Sequence, residues 1–406
     1  MNLRRPTTAA AAALLPMLLA LLMPLAAQAQ TYTQASDNGS PSGPPGGLSL
    51  SAIGTETGMS SSNPLLSVGP TKSIIGSTTT PEFIINDATP TSLLKLDNRI
   101  DVNSFNQTSY NSTDLHSAAG YTWKGQNWSI GSQQQADYDT TRTSEPSTYG
   151  LNVSDVRHTG LSASPQITYS PTAADQFALA GSISRSTYAS TAFTDYATYS
   201  LSPSYTRRLD PLNAASLTLQ AQRYETLDNV AEHIDTVGPM IGWTTTFSPR
   251  LSGNIAIGAQ TSRSFVAGQA ATSWAWQYVF SGGLTFKGIQ DSAALTTNRV
   301  QFPYGNGTEA LQTSIDLTDS HALNDRFSLD VDANYTTSSY QINTPGSVQN
   351  LIGGTGGATY HATKRIDLEA SYQYRYETLT SNAGTARDNR VMLNFVYHPN
   401  IWTVSH

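Results

Sequence analysis

Apolar and polar residues alternate, position by position, along most of the chain from about residue 95 to the C-terminus. From Phe327 to Tyr335 the odd positions are Phe, Leu, Val, Ala and Tyr, and the even positions are Ser, Asp, Asp and Asn. Successive side chains of a strand point to opposite faces, so this pattern predicts strands with one apolar and one polar face. The same pattern recurs at 161–169, 176–185, 198–206, 215–222, 251–262, 274–286, 311–318, 366–376 and 391–397.

The connections between these predicted strands alternate between short and long. The short ones contain Gly, Pro, Asn or Asp, or form a compact polar kink, as expected of tight turns. They lie at 124–126, 170–175, 208–213, 248–250, 287–290, 322–325 and 362–364. The long ones are polar, for example 139–156 and 226–235.

A repeat supports the same organisation. Arg185, Arg223, Arg263 and Arg299 end similar segments at intervals of 38, 40 and 36 residues. A fixed period indicates one supersecondary unit used repeatedly, here two strands, a short turn and a long loop. Eight such units between residues 95 and 400 predict about 16 strands, with 14 or 18 as alternatives.

Two all-β folds share this alternation, the soluble sandwich and the transmembrane barrel. Sandwich strands are shorter on average, and their loops need not alternate in length. Strands of about 9–11 residues cross a bilayer at a tilt, and outer-membrane barrels alternate short periplasmic turns with long outer loops. We therefore predict a transmembrane antiparallel up-and-down β-barrel over residues 95–406. Aromatic residues on the apolar face would form its interface girdle, namely Trp123, Trp128, Trp243, Trp274, Trp276, Tyr278, Phe280, Phe286, Tyr360, Tyr372, Tyr374 and Tyr397.

The N-terminal part follows a different pattern. Residues 1–29 combine Arg4 and Arg5, an apolar run and the motif Ala27-Gln28-Ala29, which together predict a cleaved export signal. A membrane anchor is the alternative, but the apolar run is interrupted by Pro16 and Pro24 and is short for a span. Residues 30–94 are rich in Ser, Gly and Pro and predict a disordered leader or a partial plug.

Composition excludes several functions. Only 13% of the residues are charged, against about 25% in a typical soluble domain. The absence of cysteine excludes disulfides, thiolate metal sites and a Cys nucleophile. A net charge of −7 argues against nucleic acid as a partner. Asp330-Val331-Asp332 lacks the Gly and Glu of a calcium loop, and residues 353–357 lack the Lys of a phosphate loop, so no metal and no cofactor is expected.

If the apolar face meets lipid, the polar face lines the lumen. We then expect the lumen to carry a set of charged residues, all from the last three hairpins, which would favour cations or neutral sugars over anions. A filled, merely hydrated barrel is the equally simple alternative. The lumen candidates are Asp316, Asp330, Asp332, Asp367, Glu369, Arg375 and Glu377.

The repeated arginines fall on the apolar face, near the long-loop ends of their strands. At that height Arg185, Arg223, Arg263 and Arg299 would pair with lipopolysaccharide phosphates. A local bulge that turns them to the rim or the lumen is the alternative.

No arrangement of residues selects a catalytic site. The seven histidines are scattered, and none forms a His-x-x-x-His pair. His158 or His233 would be the candidates in a barrel hydrolase, and Asp367 with Glu369 would be a carboxylate pair. Since nothing in their spacing distinguishes them from solvated residues, we expect that the protein is not an enzyme.

The stretch YSLSPSYTRRLDPLNAASLTLQAQRYETL, residues 199–227, is similar to Gram-negative outer-membrane porin-like barrels, most closely to the β-barrel porin type 2 family. The resemblance covers about residues 95–400. It implies a location in the outer membrane and an association with exopolysaccharide secretion. Such barrels end on an aromatic residue that the barrel assembly machinery reads, so the last strand ends here at Tyr397 or extends through Ile401-Trp402.

These observations predict an outer-membrane channel for passive diffusion or secretion of small polar solutes or polysaccharide. A non-conducting structural or surface-binding barrel is the alternative, and a barrel hydrolase comes third. The expected partners are outer-membrane lipid and lipopolysaccharide, the barrel assembly machinery, and polysaccharide or secretion-system components.

Overall fold

The computed structural model describes residues 47–143, 155–227, 232–268, 270–304, 308–340, 348–379 and 384–404. These residues form one antiparallel sheet of 19 strands. The predicted export signal and residues 30–46 lie outside the described residues.

From β1 to β18 the strands follow one another in chain order, each hydrogen-bonded to the next, and β19 pairs with β1. Their bounds are β1 Gly47–Ser61, β2 Ile74–Ala88, β3 Ser92–Phe105, β4 Ser112–Lys124, β5 Trp128–Thr140, β6 Arg157–Tyr169, β7 Asp175–Tyr188, β8 Tyr196–Arg208, β9 Asn213–Thr226, β10 Glu232–Ser248, β11 Leu251–Val266, β12 Ala275–Lys287, β13 Asp291–Tyr304, β14 Thr308–Asn324, β15 Phe327–Tyr340, β16 Val348–Thr363, β17 Ile366–Leu379, β18 Gly384–Tyr397 and β19 Trp402–Val404. One 3₁₀ turn, Thr108–Tyr110, interrupts the connection between β3 and β4.

The sheet closes on itself through β1 and β18. Their ladder runs from Gly54 paired with Tyr397 to Ser61 paired with Arg390. Closure leaves no open edge among these 18 strands, so every strand has two hydrogen-bonded neighbours. The prediction of an all-β, antiparallel, up-and-down barrel is therefore confirmed.

The barrel has 18 strands and not the 16 predicted first; 18 was one of the two alternatives. A short nineteenth strand, β19, is not one of the 18 strands of the closed barrel. Residues 92–397 contain sixteen strands, β3 to β18, and the two additional strands are β1 and β2. Both lie within the segment 30–94, where we expected a disordered leader or plug, so the barrel begins at Gly47. These strands were not predicted because the outward face of β1 and β2, which would be apolar in a lipid-facing strand, carries Gly, Ser, Thr and Glu56 at many positions.

The end of the chain combines the two alternatives for the last strand. β18 ends at Tyr397, and after a short break β19 pairs Trp402 with Leu50 and Val404 with Leu48. The C-terminal segment thus continues along β1 beyond the end of β18.

All seven predicted short connections lie at one end of the barrel, joined by an eighth at residues 89–91. The turn after β8 shows how the sequence builds them. The Asp210 carboxylate accepts hydrogen bonds from the Asn213 amide and from the backbone N–H groups of Leu212 and Asn213, in a local turn typical of Asp. The same bonds, with that from the Asn213 side chain first, hold the pKa of Asp210 below its usual value.

Exposed large apolar side chains form a band on the outer surface. Ile241 is 65% exposed and Leu393 61% exposed, values that are normal for a lipid-facing strand and abnormal for a soluble protein. Exposed aromatic residues lie towards both ends of the band, with Trp123, Trp128 and Tyr397 at the short-turn end and Trp274 and Trp276 at the long-loop end. No helix among the described residues is long and apolar enough to cross a membrane.

Candidate functional site

The polar face of the strands lines the interior. The Gln260 amide on β11 donates to Gln220 Oε1 on β9 at 2.6 Å, across the intervening strand β10. Side chains of non-neighbouring strands meet in this way only on the concave side of the wall. Gln220 alternates with the exposed Leu217 and Leu219, so the exposed apolar residues face outwards and the polar residues face the lumen.

At the long-loop end the wall separates between β12 and β13. Their ladder ends at the pair Phe280–Arg299, whereas β12 remains paired with β11 up to Ala275. β13 remains paired with β14 up to Tyr304 and Thr308. The tip of the β13–β14 hairpin is therefore free of β12 and continues as a separate ribbon. We call residues 300–304 with 308–312 the inner hairpin.

The inner hairpin lies against the inside of the neighbouring wall. The side-chain oxygen Oε1 of Gln301 accepts hydrogen bonds from the Thr236 hydroxyl on β10 at 3.3 Å, from the Ser262 hydroxyl on β11 at 2.7 Å, and from the Gln277 amide on β12. All three donors belong to the lumen face of their strands. Gln301 itself has the parity of Leu295, which faces outwards lower down the same strand. The hairpin thus folds inwards, and its outer face packs on the inner face of β10–β12.

A buried carboxyl group completes this contact. Glu309 is 1% exposed and accepts hydrogen bonds from the Gln301 amide at 2.6 Å and from the Gln222 amide of β9 at 2.9 Å. Along the wall, β9 and β14 are five strand spacings apart, about 24 Å at the usual separation. Only the inward fold of the hairpin brings Glu309 to Gln222, and this fold narrows the lumen at the long-loop end.

The connection between β1 and β2 enters the same end of the lumen from the opposite side. Leu66 is completely buried, in a left-handed conformation with φ of 49°, against Leu351 of β16 and Ala386 of β18. The backbone oxygen of Pro64 accepts a hydrogen bond from Arg375 of β17 at 3.4 Å. Residues 62–66 therefore cross the inner face of three strands.

Asp388 on β18 holds this connection in place. Its carboxylate is fully buried and accepts hydrogen bonds from the Ser61 hydroxyl at 2.7 Å and the Asn63 N–H at 2.9 Å. It also pairs with the Arg375 guanidinium at 2.8 Å, and Arg390 lies 3.7 Å away. Burial of an ion pair is tolerated only when the remaining polar atoms are bonded, and the β1–β2 connection supplies those bonds.

A third group of residues lines this end near β3 to β6. The Arg142 guanidinium stands over the rings of Phe105 and Tyr110, at 5.1 and 5.9 Å from their centroids. Arg157 pairs with Asp114, which is fully buried, at 2.7 Å. Burial, together with the nearby Asp155 carboxylate, raises the pKa of the Tyr110 hydroxyl in the 3₁₀ turn.

The seven expected lumen residues lie on the inner face, but they form two groups. Arg375 and Glu377 are buried at the long-loop end, where Glu377 accepts a hydrogen bond from Gln349 and Arg375 holds Asp388 and Pro64. These two are structural contacts and not open lumen charges. The other five line the wall of β14, β15 and β17, namely Asp316, Asp330, Asp332, Asp367 and Glu369.

Two of these five have imidazole or amide neighbours. Asp367 lies between His361 and His398 at the short-turn end, at 2.7 and 3.1 Å. Glu369 accepts a hydrogen bond from Asn394 at 2.9 Å. The structure therefore leaves Asp316, Asp330 and Asp332 as the acidic strip of the lumen, without an ion pair among the described residues.

The expectation that all lumen charge comes from the last three hairpins is wrong. The inner face of β2 to β5 also carries charged residues, including an ion pair between Arg99 and Asp101 at 3.3 Å and a bond from His116 to Asp137 at 2.7 Å. This group was missed because alternating segments were assigned only from residue 161 onwards, so the charges of β2 to β5 could not be placed on a face. Its members are Glu82, Lys95, Asp97, Arg99, Asp101, His116 and Asp137. Away from the strand ends, β7 to β12 carry only neutral side chains inside, so charge occupies one contiguous part of the wall.

The four repeated arginines lie on the outer face near the long-loop ends of their strands, and no bulge turns them inwards. Arg223 binds Asp235 through two bonds of 2.6 and 2.9 Å. Arg263 stands over Phe265 and Trp274, and Arg299 stands over Tyr278 at 4.3 Å. Arg185 shares the outward parity of Ile183. Their cationic groups are thus held flat against the outer rim.

No protein-family model and no curated protein matches this chain. Among solved structures, Pseudomonas aeruginosa OpdO is 10% identical, with 87% of this chain and 97% of that chain covered and a TM-score of 0.47. Pseudomonas aeruginosa OprD is 10% identical, with 88% of this chain and 96% of that chain covered and a TM-score of 0.45. Acinetobacter baumannii OccAB2 is 12% identical, with 88% of this chain and 98% of that chain covered and a TM-score of 0.45. At this level of similarity the likeness says nothing about what this chain transports or binds, and the resemblance to the porin type 2 family gains no support.

Proposed function

We propose that this chain is an outer-membrane channel through which small polar solutes diffuse passively. The observation that carries the proposal is a closed 18-strand barrel whose outer face is apolar and whose inner face is polar. Strands of this kind are stable in a bilayer because the closed sheet satisfies every backbone group while the outer side chains contact lipid. A water-filled lumen is the simplest use of a polar interior in such a barrel.

The proposed solutes are cations and neutral sugars. The neutral part of the wall, β7 to β12, offers hydroxyl and amide groups that can exchange hydrogen bonds with sugar hydroxyls. The acidic strip of Asp316, Asp330 and Asp332 makes the opposite part unfavourable for anions. The narrowing by the inner hairpin favours single sugars and short oligosaccharides over long polymers. Passage or secretion of exopolysaccharide would therefore need the hairpin to move aside.

Solute flux tests this proposal directly. Proteoliposomes that contain the purified barrel should swell in isotonic neutral monosaccharide faster than in a sugar acid of the same size. Protein-free liposomes and boiled, unfolded protein are the controls. Equal rates for both solutes would remove the selectivity part of the proposal, and rates no higher than those of the controls would remove the channel.

The acidic strip gives a prediction for ion selectivity. The double variant Asp330→Asn, Asp332→Asn should shift the reversal potential in a KCl gradient towards zero, because it removes two negative charges from the lumen wall. The matched control is Asp210→Asn, Asp325→Asn, which removes the same charge from exposed short turns. Those turns face bulk salt, where charges beyond about 10 Å are screened. An anion-selective wild-type channel would contradict the prediction outright.

A non-conducting barrel is the second candidate. The inner hairpin and residues 62–66 both occupy the long-loop end of the lumen, and together they favour a closed barrel that binds a partner at its outer loops. This candidate predicts a folded barrel that gives neither swelling nor current.

The outer-rim arginines support a further part of the proposal, contact with lipopolysaccharide. Guanidinium groups bind phosphate through two parallel hydrogen bonds, and these four lie at one height on the outer surface. Arg263 is the best placed of them, because it packs on Phe265 and Trp274 without a carboxylate bonded to it among the described residues. Catalysis is not part of the proposal.

A further inference from the structure

The outer face of β1 to β5 carries at least one polar residue on each strand, inside the apolar band. These five residues, which we call the polar row, are Glu56, Thr79, Asn98, Ser117 and Gln134. Polar and ionisable side chains are rare where a barrel faces hydrocarbon, because no lipid tail can bond with them.

Cross-strand pairing shows that the row faces outwards. Directly opposite residues share a face of the sheet. Glu56 pairs with Phe395, which is 46% exposed, and Asn98 pairs with Phe83, which is 50% exposed. The polar row therefore shares the side of the wall that carries the exposed apolar band.

The row lies within the band and not at its edge. Along its own strand each of three members stands between outward apolar residues on both sides. For Thr79 these are the exposed Ile75 and Phe83, and for Gln134 they are the exposed Ile130 and Tyr138. For Asn98 they are the half-buried Leu96 and the exposed Ile100.

Seven strands elsewhere in the wall are different at their middle. There the outward positions of β8 to β11, β14, β15 and β18 are exposed large apolar residues, namely Leu201, Leu219, Ile241, Ile257, Leu317, Val331 and Leu393. The polar row is thus a property of one side of the barrel.

Several residues directly beside the row are small. Its outward neighbours on β1 are Gly54 and Gly58, and a Cβ added at Gly54 would meet nothing within 4 Å. On β4, β5 and β6 the neighbours are Ala119, Ala136 and Ala163. Small residues allow another protein backbone to approach closely within a membrane, which bulky lipid-facing residues prevent.

Hydrogen bonds within the row satisfy only some of its polar groups. Thr79 donates to the Glu56 carboxylate at 2.6 Å, and Ser117 donates to Asn98 Oδ1 at 2.8 Å. The Gln134 amide has no hydrogen-bond partner in the described part of the chain. One end of the row therefore offers a carboxylate acceptor, and the other end offers amide donors.

We propose that the outer face of β1 to β5 is the contact between copies of this chain in the membrane. Two copies that share a bilayer in the same orientation carry the row at the same depth, so the row of one meets the row of the next without any adjustment. Rotation about an axis along the membrane normal brings the Glu56 end of one copy towards the Gln134 end of its neighbour. Such a head-to-tail contact, repeated around this axis, forms a closed ring. In the ring the Glu56 carboxylate and the Gln134 amide find hydrogen-bond partners that lipid cannot provide.

Cysteine cross-linking tests this contact, since the chain contains no cysteine of its own. The variant Glu56→Cys, Gln134→Cys places one thiol at each end of the row. Within one chain these positions are four strand spacings apart, about 19 Å, so no disulfide can form between them. Oxidation in reconstituted liposomes at low protein-to-lipid ratio should therefore give a ladder of two or more chains on a non-reducing gel.

The matched control is Ile241→Cys, Leu317→Cys, whose exposed positions on β10 and β14 are also four strands apart but lie away from the polar row. It should give only the background of random collisions. A ladder no stronger than that of the control would overturn the proposal. Linkage only to other proteins in native membranes, with none in the reconstituted pure protein, would overturn the assignment to a second copy.

A second measurement guards against a misfolded variant. Glu56→Leu, Asn98→Leu, Gln134→Leu should convert the wild-type oligomer to a monomer by native mass spectrometry, with heat-modifiable mobility and the conductance per pore unchanged. A wild-type monomer in the same mild detergent, or an unaltered oligomer in this variant, would contradict the contact. Because the row lies outside the lumen, neither result depends on the transported solute.

Discussion

Replacing Asp388 with alanine should lower the free energy of unfolding by about 3–5 kcal/mol, the range for removing one partner of a buried ion pair. Asp388 is fully buried, and its loss leaves the guanidinium groups of Arg375 and Arg390 side by side without their carboxylate. It also removes the acceptor for Ser61 and Asn63, which hold the β1–β2 connection inside the lumen. Both effects act in the same direction.

Guanidinium-induced unfolding in lipid vesicles, followed by tryptophan fluorescence, measures this change. The matched control is Asp330→Ala, which removes an acid from the same inner face where it has no ion pair among the described residues. It should stay within about 0.5 kcal/mol of wild type. If the two variants unfolded at the same denaturant concentration, the buried contact of Asp388 would not stabilise the barrel. Limited proteolysis gives a second readout, since a released connection at residues 62–73 should become a cleavage site in Asp388→Ala alone.

Replacing Glu309 with alanine should increase the single-channel conductance. The Glu309 carboxylate accepts hydrogen bonds from the side-chain amides of Gln222 and Gln301. The bond from Gln222 joins the inner hairpin to β9. Leaving buried partners unpaired costs about 1–3 kcal/mol, enough to shift a hairpin that is already free of β12 away from the wall. Since the hairpin narrows the lumen, its movement widens the path for ions.

Two controls separate this effect from a general disturbance of the lumen. Glu309→Gln keeps an acceptor of the same shape and should give a smaller increase. Gln166→Ala shortens an exposed inner-face side chain on β6, far along the wall from the hairpin, and should leave the conductance unchanged. An unchanged or lower conductance in Glu309→Ala, with a folded barrel, would show that the hairpin does not narrow the conducting path.

The barrel was predictable because its signal is local. Alternation of period two needs only neighbouring residues, and the alternation of short and long connections adds the direction of each hairpin. Both hold from β3 to β18, and the 16 strands expected over residues 95–400 correspond to these elements. The short turns were equally readable, since residues such as Asp210 and Asn213 form them without help from the rest of the chain.

β1 and β2 escaped prediction for a physical reason. In β1 the outward positions from Ala52 to Ser60 include Gly54, Glu56 and Gly58, so the expected apolar face is missing. In β2 the outward Thr79 stands among other threonines, beside Pro81. Two of the residues that hid these strands, Glu56 and Thr79, belong to the polar row. A strand that faces another protein does not need the apolar signature of a strand that faces lipid.

The inner hairpin could not be read from the pattern alone. Alternation shows which residues share a face. It does not show where a hairpin leaves the barrel wall, so that its outward face comes to pack inside the lumen. One signal was present, because Gln301 and Glu309 occupy the apolar parity of β13 and β14 near their ends. Likewise, parity placed Arg375 and Glu377 inside, but only the long-range contact with residues 61–64 shows that they are covered.

The central claim is that this barrel conducts, and single-channel recording of the purified wild-type protein in planar lipid bilayers tests it most directly. We expect discrete, reproducible current steps in KCl, with a reversal potential of the sign that marks cation preference. Folded protein, verified by its heat-modifiable mobility, that inserts and yet gives no steps at any voltage would contradict the account.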